Sequence, residues 1–221
     1  MAQYNKEQVY SAIRETGLVP VFYNGDPAVA AKVAKACYDG GARVFEFTFR
    51  GPAALEVFKS LSAYVRENLP GMILGVGSIS DGRSARKFIR LGANFVVGPQ
   101  YVPGVRCVCR WRGIPYIPGC GTVSEVGRAQ RAGCEVCKVF PGEVLGPAFV
   151  KALRAPMPWS RIMVTGGVKP ERANLEAWFK AGVESVGMGG ALFPKDVIAA
   201  GDWDRITATF AESLEIIKSV L

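Results

Sequence analysis

A single lysine, Lys138, interrupts the apolar run Val136-Cys137-Lys138-Val139-Phe140, which closes on the turn residues Pro141-Gly142. Burial penalises an ammonium ion and lowers its pKa, so a lysine at the end of such a strand can be a neutral amine that adds to a carbonyl and forms an imine. The ordinary alternative is a stem that carries its charge sideways to water. A carboxylate is set in a second apolar run, Val44-Phe45-Glu46-Phe47-Thr48-Phe49-Arg50. Burying it is costly unless a partner neutralises it or it takes up a proton. Strand alternation puts Glu46, Thr48 and Arg50 on one face, so Glu46 and Arg50 either share a pocket or form a structural ion pair. The chain has no histidine, which removes histidine metal sites and every Ser-His or Cys-His nucleophile. Acid–base work falls to carboxylates, lysine, tyrosine or water.

Other residue groups bear on chemistry less directly. The six cysteines (Cys37, Cys107, Cys109, Cys120, Cys134, Cys137) read as free and mostly buried thiols. Cys134 and Cys137 have CxxC spacing, but paired knuckles are lacking and Cys137 should face away from its neighbour Lys138, so no metal site is expected. A net charge of +8, with Arg106, Arg110 and Arg112 beside Trp111, could mark a nucleic-acid footprint. No glycine–aromatic or helix-turn-helix pattern accompanies it. The reading kept is a solvated basic loop on a protein that attracts small anionic substrates, with no nucleic-acid partner. No run is long and apolar enough to span a membrane, and the first residues lack the pattern of a secretory signal, so a cytoplasmic protein is expected.

These groups need a scaffold. Short β-branched or aromatic runs alternate with amphipathic segments, as in βα units around a parallel sheet. Strands are predicted at Leu18–Phe22, Val44–Phe49, Ile73–Val76, Phe95–Gly98, Tyr116–Ile117, Val136–Phe140, Ile162–Thr165 and Ser185–Met188, eight in all. Helices are predicted at 6–15, 27–39, 53–68, 81–91, 122–132, 146–153, 171–181 and 203–220, with a short one at 105–111. Gly41, Gly92, Gly133 and Gly182 recur as helix stops. The pattern predicts one α/β domain over residues 1–221, a closed (β/α)8 TIM barrel with an extra N-terminal helix; an open doubly wound sheet is the runner-up. In such a barrel the site lies at the C-terminal ends of the strands.

At those ends Gly77 precedes Ser78, Gly98 precedes Pro99, and Thr122 with Glu125 fits a helix capping box. Thr165-Gly166-Gly167 closes the seventh strand and Gly189-Gly190 follows the eighth, where barrels often hold a phosphate against backbone N–H groups.

The set Glu46…Arg50, Gly77-Ser78, Gly98-Pro99, Lys138-Val139-Phe140-Pro141, Thr165-Gly166-Gly167 and Gly189-Gly190 resembles the 2-keto-3-deoxy-6-phosphogluconate / 4-hydroxy-2-oxoglutarate (KDPG/KHG) aldolase family, from about Gly17 to beyond Trp203. The resemblance implies a class I, metal- and cofactor-independent aldolase, generally homotrimeric, that releases pyruvate from a 2-keto acid, a phosphorylated one in the first case. It implies that Lys138 forms the Schiff base, that Glu46 shuttles protons, and that Arg50 and Ser78 hold the pyruvyl carboxylate. Pro99 and Phe140 would be pocket walls, and Thr165, Gly166, Gly167, Gly189 and Gly190 would belong to the phosphate end. Two positions depart from the family pattern: Ser78 stands where threonine is common, and Ala191 where many members place a serine that contacts phosphate. The same chemistry on the phosphogalactonate epimer, and an idle barrel serving as a scaffold or basic binding module, are the alternatives.

Overall fold

The computed structural model describes residues 3–221. Nine strand pieces form one sheet: β1 (Leu18–Phe22), β2 (Val44–Thr48), β3 (Ile73–Gly77), β4 (Val96–Val97), β5 (Tyr116–Ile117), β6 (Gly119–Cys120), β7 (Val136–Val139), β8 (Arg161–Thr165) and β9 (Ser185–Met188). Their order is β5-β4-β3-β2-β1-β9-β8-β7-β6, and every ladder is parallel. The two ends of that order, β5 and β6, adjoin along the chain, so the sheet closes on itself. Pro118 lies between them and has no N–H to give a ladder, so one barrel stave is read as two pieces. The first piece pairs with β4 and the second with β7, and Pro118 O accepts from Lys138 N at 2.8 Å. The eight expected staves are therefore present, the fifth of them split, and the open sheet is excluded.

Among the described residues ten helices cover the ring or close its end: α1 (Lys6–Thr16), α2 (Pro27–Asp39), α3 (Ala54–Asn68), α4 (Gly82–Arg90), α5 (Pro103–Arg112), α6 (Val123–Arg131), α7 (Gly142–Arg154), α8 (Arg172–Lys180), α9 (Lys195–Ala200) and α10 (Trp203–Lys218). Three departures from expectation have local causes. α5 starts at Pro103, two residues early, because the missing N–H of that proline falls where a helix needs none. α7 starts at Gly142, four residues early, and changes direction at Gly146 (φ 71°, ψ 167°) just before Pro147. The six-residue α9 follows Pro194 and is too short to show a helical period.

Side chains segregate by strand alternation. Val44, Ile73, Phe95, Val97, Ile117, Val136 and Met163 point into the barrel, where Val9, Tyr10 and Ile13 of α1 close its N-terminal end. α1 opens on a capping box, with Asn5 accepting from Gln8 N and Gln8 accepting from Asn5 N, both at 2.9 Å, and Asn94 Oδ1, just before β4, accepts from Gln3 N at 2.8 Å. The opposite faces, among them Phe45, Phe47, Cys137 and Val139, pack beneath the helices. Phe58 meets Phe88 edge to face there, 5.0 Å between centroids. Each such ring contributes about 1.5–3 kcal/mol by leaving water. Strands buried on both faces must be apolar throughout, which makes any charge within them conspicuous.

Candidate active site

Glu46 on β2 and Lys138 on β7 both lie on the inward face, 1% and 6% exposed. Burial is the main reason that the Lys138 amine is held below its ordinary pKa; the Glu46 charge opposes that shift and the Arg50 charge reinforces it. Burial likewise raises the Glu46 carboxyl above its ordinary value, against the charges of Lys138 and Arg50. Both groups are thus pushed toward their neutral forms, an amine and a carboxylic acid. The Lys138 Nζ stands 4.8 Å from the centre of the Phe140 ring, a contact that favours the ammonium form more weakly than burial disfavours it.

Gly77 makes room for Glu46. A Cβ at that position would come within 2.6 Å of the Glu46 Cδ and 3.0 Å of its Cγ. Oε2 of Glu46 and Oγ1 of Thr165 are buried with no hydrogen-bond partner. A polar atom left in that condition costs about 1–3 kcal/mol and calls for an external partner.

Beyond the pair, toward the C-terminal ends of the strands, opens a cavity of about 380 Å³; Thr48 and Phe140, two residues past Glu46 and Lys138, line it, while Glu46 and Lys138 themselves lie beneath and are not in its wall. Arg50, Phe140, Thr165, Gly166, Gly167, Gly189 and Gly190 all line it, as do Tyr23, Thr48, Lys169 and Ala191. Ser78 and Pro99 are not in its wall. Ser78 is a non-glycine residue in left-handed backbone, φ 61°, immediately after β3. Pro99 is exposed, and its carbonyl packs against Gly119, the register partner of Lys138. Of the two alternatives for Glu46 and Arg50, the structural ion pair is not formed: β2 ends at Thr48, Arg50 is exposed, and no ion pair among the described residues includes it.

The rim glycines differ in what they do. Gly166 (φ 99°) and Gly167 (φ 69°) adopt backbone that favours glycine, and Glu143 in the first turn of α7 lies against both. A Cβ on Gly166 would come 3.0 Å from the Glu143 Cδ, so packing is one reason for glycine at this pair. Gly190 has no such reason, since a Cβ there would meet nothing within 4 Å and its φ is ordinary. Its bare backbone faces the cavity. Sequence reasoning missed Lys169 and Tyr23; a cation two residues after the Thr-Gly-Gly turn was the available signal for the first.

The remaining candidates lie elsewhere. All six cysteines are free, and Cys137 points away from Lys138 toward α6, its Sγ 4.0 Å from Val126 O. Among the described residues no group of three or more His, Cys, Asp or Glu is arranged to hold a metal ion. The α5 arginines are outside the barrel, Arg106 donating through Nε to Ala132 O at 2.7 Å and Arg112 stacking on Trp111. No helix among the described residues is long and apolar enough to cross a membrane.

A buried lysine whose pKa is lowered, on an inward barrel face that also carries a buried carboxyl, suits imine chemistry, and lysine-dependent aldolases are the class this fold and site define. Comparison with known proteins agrees. The model of the KDPG and KHG aldolase family matches residues 9–209. The chain is 33% identical over 211 residues to the 2-dehydro-3-deoxy-phosphogluconate aldolase of Treponema pallidum, covering 95% of this chain and 97% of that one. It is 33% identical over 211 residues to the KHG/KDPG aldolase of Escherichia coli K12, covering 94% and 95%. The crystal structure of the 2-keto-3-deoxy-6-phospho-gluconate aldolase of Zymomonas mobilis superposes with a TM-score of 0.82 at 25% identity, covering 96% and 99%. The chain belongs to the KDPG and KHG aldolase family and is an enzyme of the lyase class.

Proposed function

We propose that the protein cleaves 2-dehydro-3-deoxy-6-phosphogluconate to pyruvate and D-glyceraldehyde 3-phosphate through a Schiff base on Lys138, and 4-hydroxy-2-oxoglutarate to pyruvate and glyoxylate by the same steps. The observation that carries this reading is the inward-facing pair Lys138 and Glu46, both buried and both shifted toward neutrality. Neutral Nζ adds to the C2 carbonyl, the carbinolamine hydroxyl takes a proton from the Glu46 acid and leaves as water, and the protonated imine, now facing the Glu46 carboxylate, becomes an electron sink. As the C3–C4 bond breaks, its electron pair moves into the iminium to give an enamine, and the C4 hydroxyl proton passes to Glu46, directly or through water. The aldehyde leaves. Glu46 returns its proton to the enamine carbon, and hydrolysis of the pyruvyl imine frees Lys138.

In this scheme Arg50 pairs with the substrate carboxylate, for which its planar fork is suited, and Ser78 assists. Phe140 and Pro99 bound the pyruvyl group. Thr165, Gly166, Gly167, Gly189 and Gly190 receive the phosphate end, where Ala191 offers a methyl in place of a hydroxyl. The enzyme works as a homotrimer in the cytoplasm and needs no added cofactor, because the iminium supplies the electron sink.

Trapping tests the proposal. Incubation with pyruvate and borohydride should fix one reduced adduct, and peptide mapping should place it on Lys138. Lys138→Arg should abolish it, because a guanidinium stays protonated. Equal labelling of several surface lysines, or of none, would refute the assignment.

A further inference from the structure

The cavity above Glu46 and Lys138 has two charged residues in its wall, both cations, and they stand on different parts of the ring. Arg50 follows β2 and Lys169 follows β8; in the order β2-β1-β9-β8 they are three strand steps apart, about 14 Å along the wall at 4.7–4.9 Å per step. Neither enters an ion pair among the described residues, and no carboxylate is in the wall with them, Glu143 lying behind Gly166 and Gly167. Two unpaired cations separated in this way suit a ligand with an anion at each end. The substrate class proposed above has that form, a carboxylate next to the carbon that Lys138 attacks and a phosphate four carbons further on. With the carboxylate on the Arg50 side, the phosphate falls on the β8–β9 side, beside Lys169 and the open backbone of Gly190.

Lys169 is not on a loose loop. Asn174, in the first turn of α8, accepts from the Lys169 N–H at 2.9 Å and donates through Nδ2 to Gly167 O at 3.0 Å. The side chain amide thus clamps both flanks of Val168, which is itself buried. That fixes where the lysine stem starts, while the ammonium keeps the freedom to meet a phosphate as a point charge.

We infer that Lys169, with its backbone held by Asn174, is the charge that makes this enzyme select a phosphorylated 2-keto acid. The inference rests on the proposed Schiff-base reaction and adds a specificity-determining residue to it. Lys169 acts on the substrate directly; Asn174 is a positioning residue.

The test compares KM and kcat of the full-length enzyme for 2-dehydro-3-deoxy-6-phosphogluconate and 4-hydroxy-2-oxoglutarate in Lys169→Met, Lys169→Arg, Asn174→Leu and the Lys169→Met/Asn174→Leu double variant. Lys169→Met should raise the ratio of the two KM values by about 10–100-fold, the worth of one charge-assisted contact, through the phosphorylated substrate and with kcat little affected. It should also flatten the rise of that KM with added potassium chloride, and Lys169→Arg should recover most of the ratio. Asn174→Leu should raise the ratio less, and should add nothing once Lys169 is already Met, which a purely structural role would not predict. An unchanged ratio in Lys169→Met, or equal rises for both substrates, overturns the inference. Pyruvate carries no phosphate, so its borohydride adduct examines the Schiff base alone: an adduct with an unchanged ratio sinks only the role of Lys169, and no adduct in the unaltered enzyme sinks the reaction itself.

Discussion

Replacing Gly77 by alanine adds one methyl group, removes no functional group and leaves the backbone in a conformation that alanine accepts, yet it should nearly silence the enzyme. The added Cβ would lie 2.6 Å from the Glu46 Cδ. Non-bonded carbons rest at about 3.5–4.0 Å, so the carboxyl must retreat by about 1 Å or rotate out of its slot. A displacement of that size costs about 100-fold in rate, which is about 2.7 kcal/mol of transition-state stabilisation, and complete loss of a positioned acid–base group costs about 10²–10⁴-fold. Turnover in Gly77→Ala should therefore fall by about 100-fold or more, with a stability loss of about 1–3 kcal/mol from overpacking. The assay is pyruvate release at saturating substrate, with circular dichroism confirming that the variant is folded at the assay temperature. Exchange of the pyruvate methyl protons with deuterated water should fall in parallel, since it uses the same proton transfer. The borohydride adduct on Lys138 should persist, because the amine is untouched. A folded Gly77→Ala enzyme that turns over within about threefold of the parent would refute the reasoning and leave Glu46 without a catalytic role.

Glu46→Gln keeps shape and hydrogen bonding but cannot take a proton, and turnover should fall by about 10²–10⁴-fold in the same assay; an unchanged rate would make Glu46 structural. Gly190→Asp fits without a clash, since nothing lies within 4 Å of its Cβ, and should raise KM for the phosphorylated substrate far more than for 4-hydroxy-2-oxoglutarate. Equal effects would show that this loop does not receive phosphate. Lys138→Met should be more stable than the parent at neutral pH. The folded pKa of Lys138 lies below its unfolded value, so the unfolded chain binds the extra proton between the two, and the parent recovers stability as pH rises through that window toward about 10.4. Urea midpoints that keep a constant gap up to that pH would contradict the shift. Turnover should survive EDTA because the iminium holds the electron pair; loss on chelation with recovery on adding zinc would point to a metal after all.

That Lys138 and Glu46 would be buried in strands was legible because strands covered on both faces tolerate charge so poorly that one charged residue in each stands out. The barrel was legible for a similar reason, each unit repeating a strand, a helix and a glycine stop. The split fifth stave was not, since Pro118 breaks the ladder without breaking the path of the chain. Arg50 was placed by extending alternation two residues past the end of β2, where the chain has already left the sheet. The glycines at 166 and 167 were read as a ligand loop, and their packing against Glu143, more than twenty residues earlier, is a tertiary fact that local sequence does not carry. Lys169 was missed for a similar reason: its place depends on a hydrogen bond that its N–H donates to Asn174 across a turn, and the cation after the Thr-Gly-Gly turn was the one local signal.

β1 lies between β2 and β9, and Leu18, Val19 and Pro20 find their partners in Val186, Gly187 and Met188. On a ribosome adding about 5–20 residues per second, roughly ten to thirty seconds pass between the synthesis of those two strands. Throughout that interval one edge of an apolar strand has no partner, and such an edge is a template for pairing with other nascent chains. The last stave to be made is thus the one that closes the ring, and it also carries Gly189 and Gly190 into the rim of the cavity. Truncated products ending before Ser185 should aggregate where the full chain stays dispersed, and yield in a cell should depend on whether a chaperone covers β1 until β9 arrives.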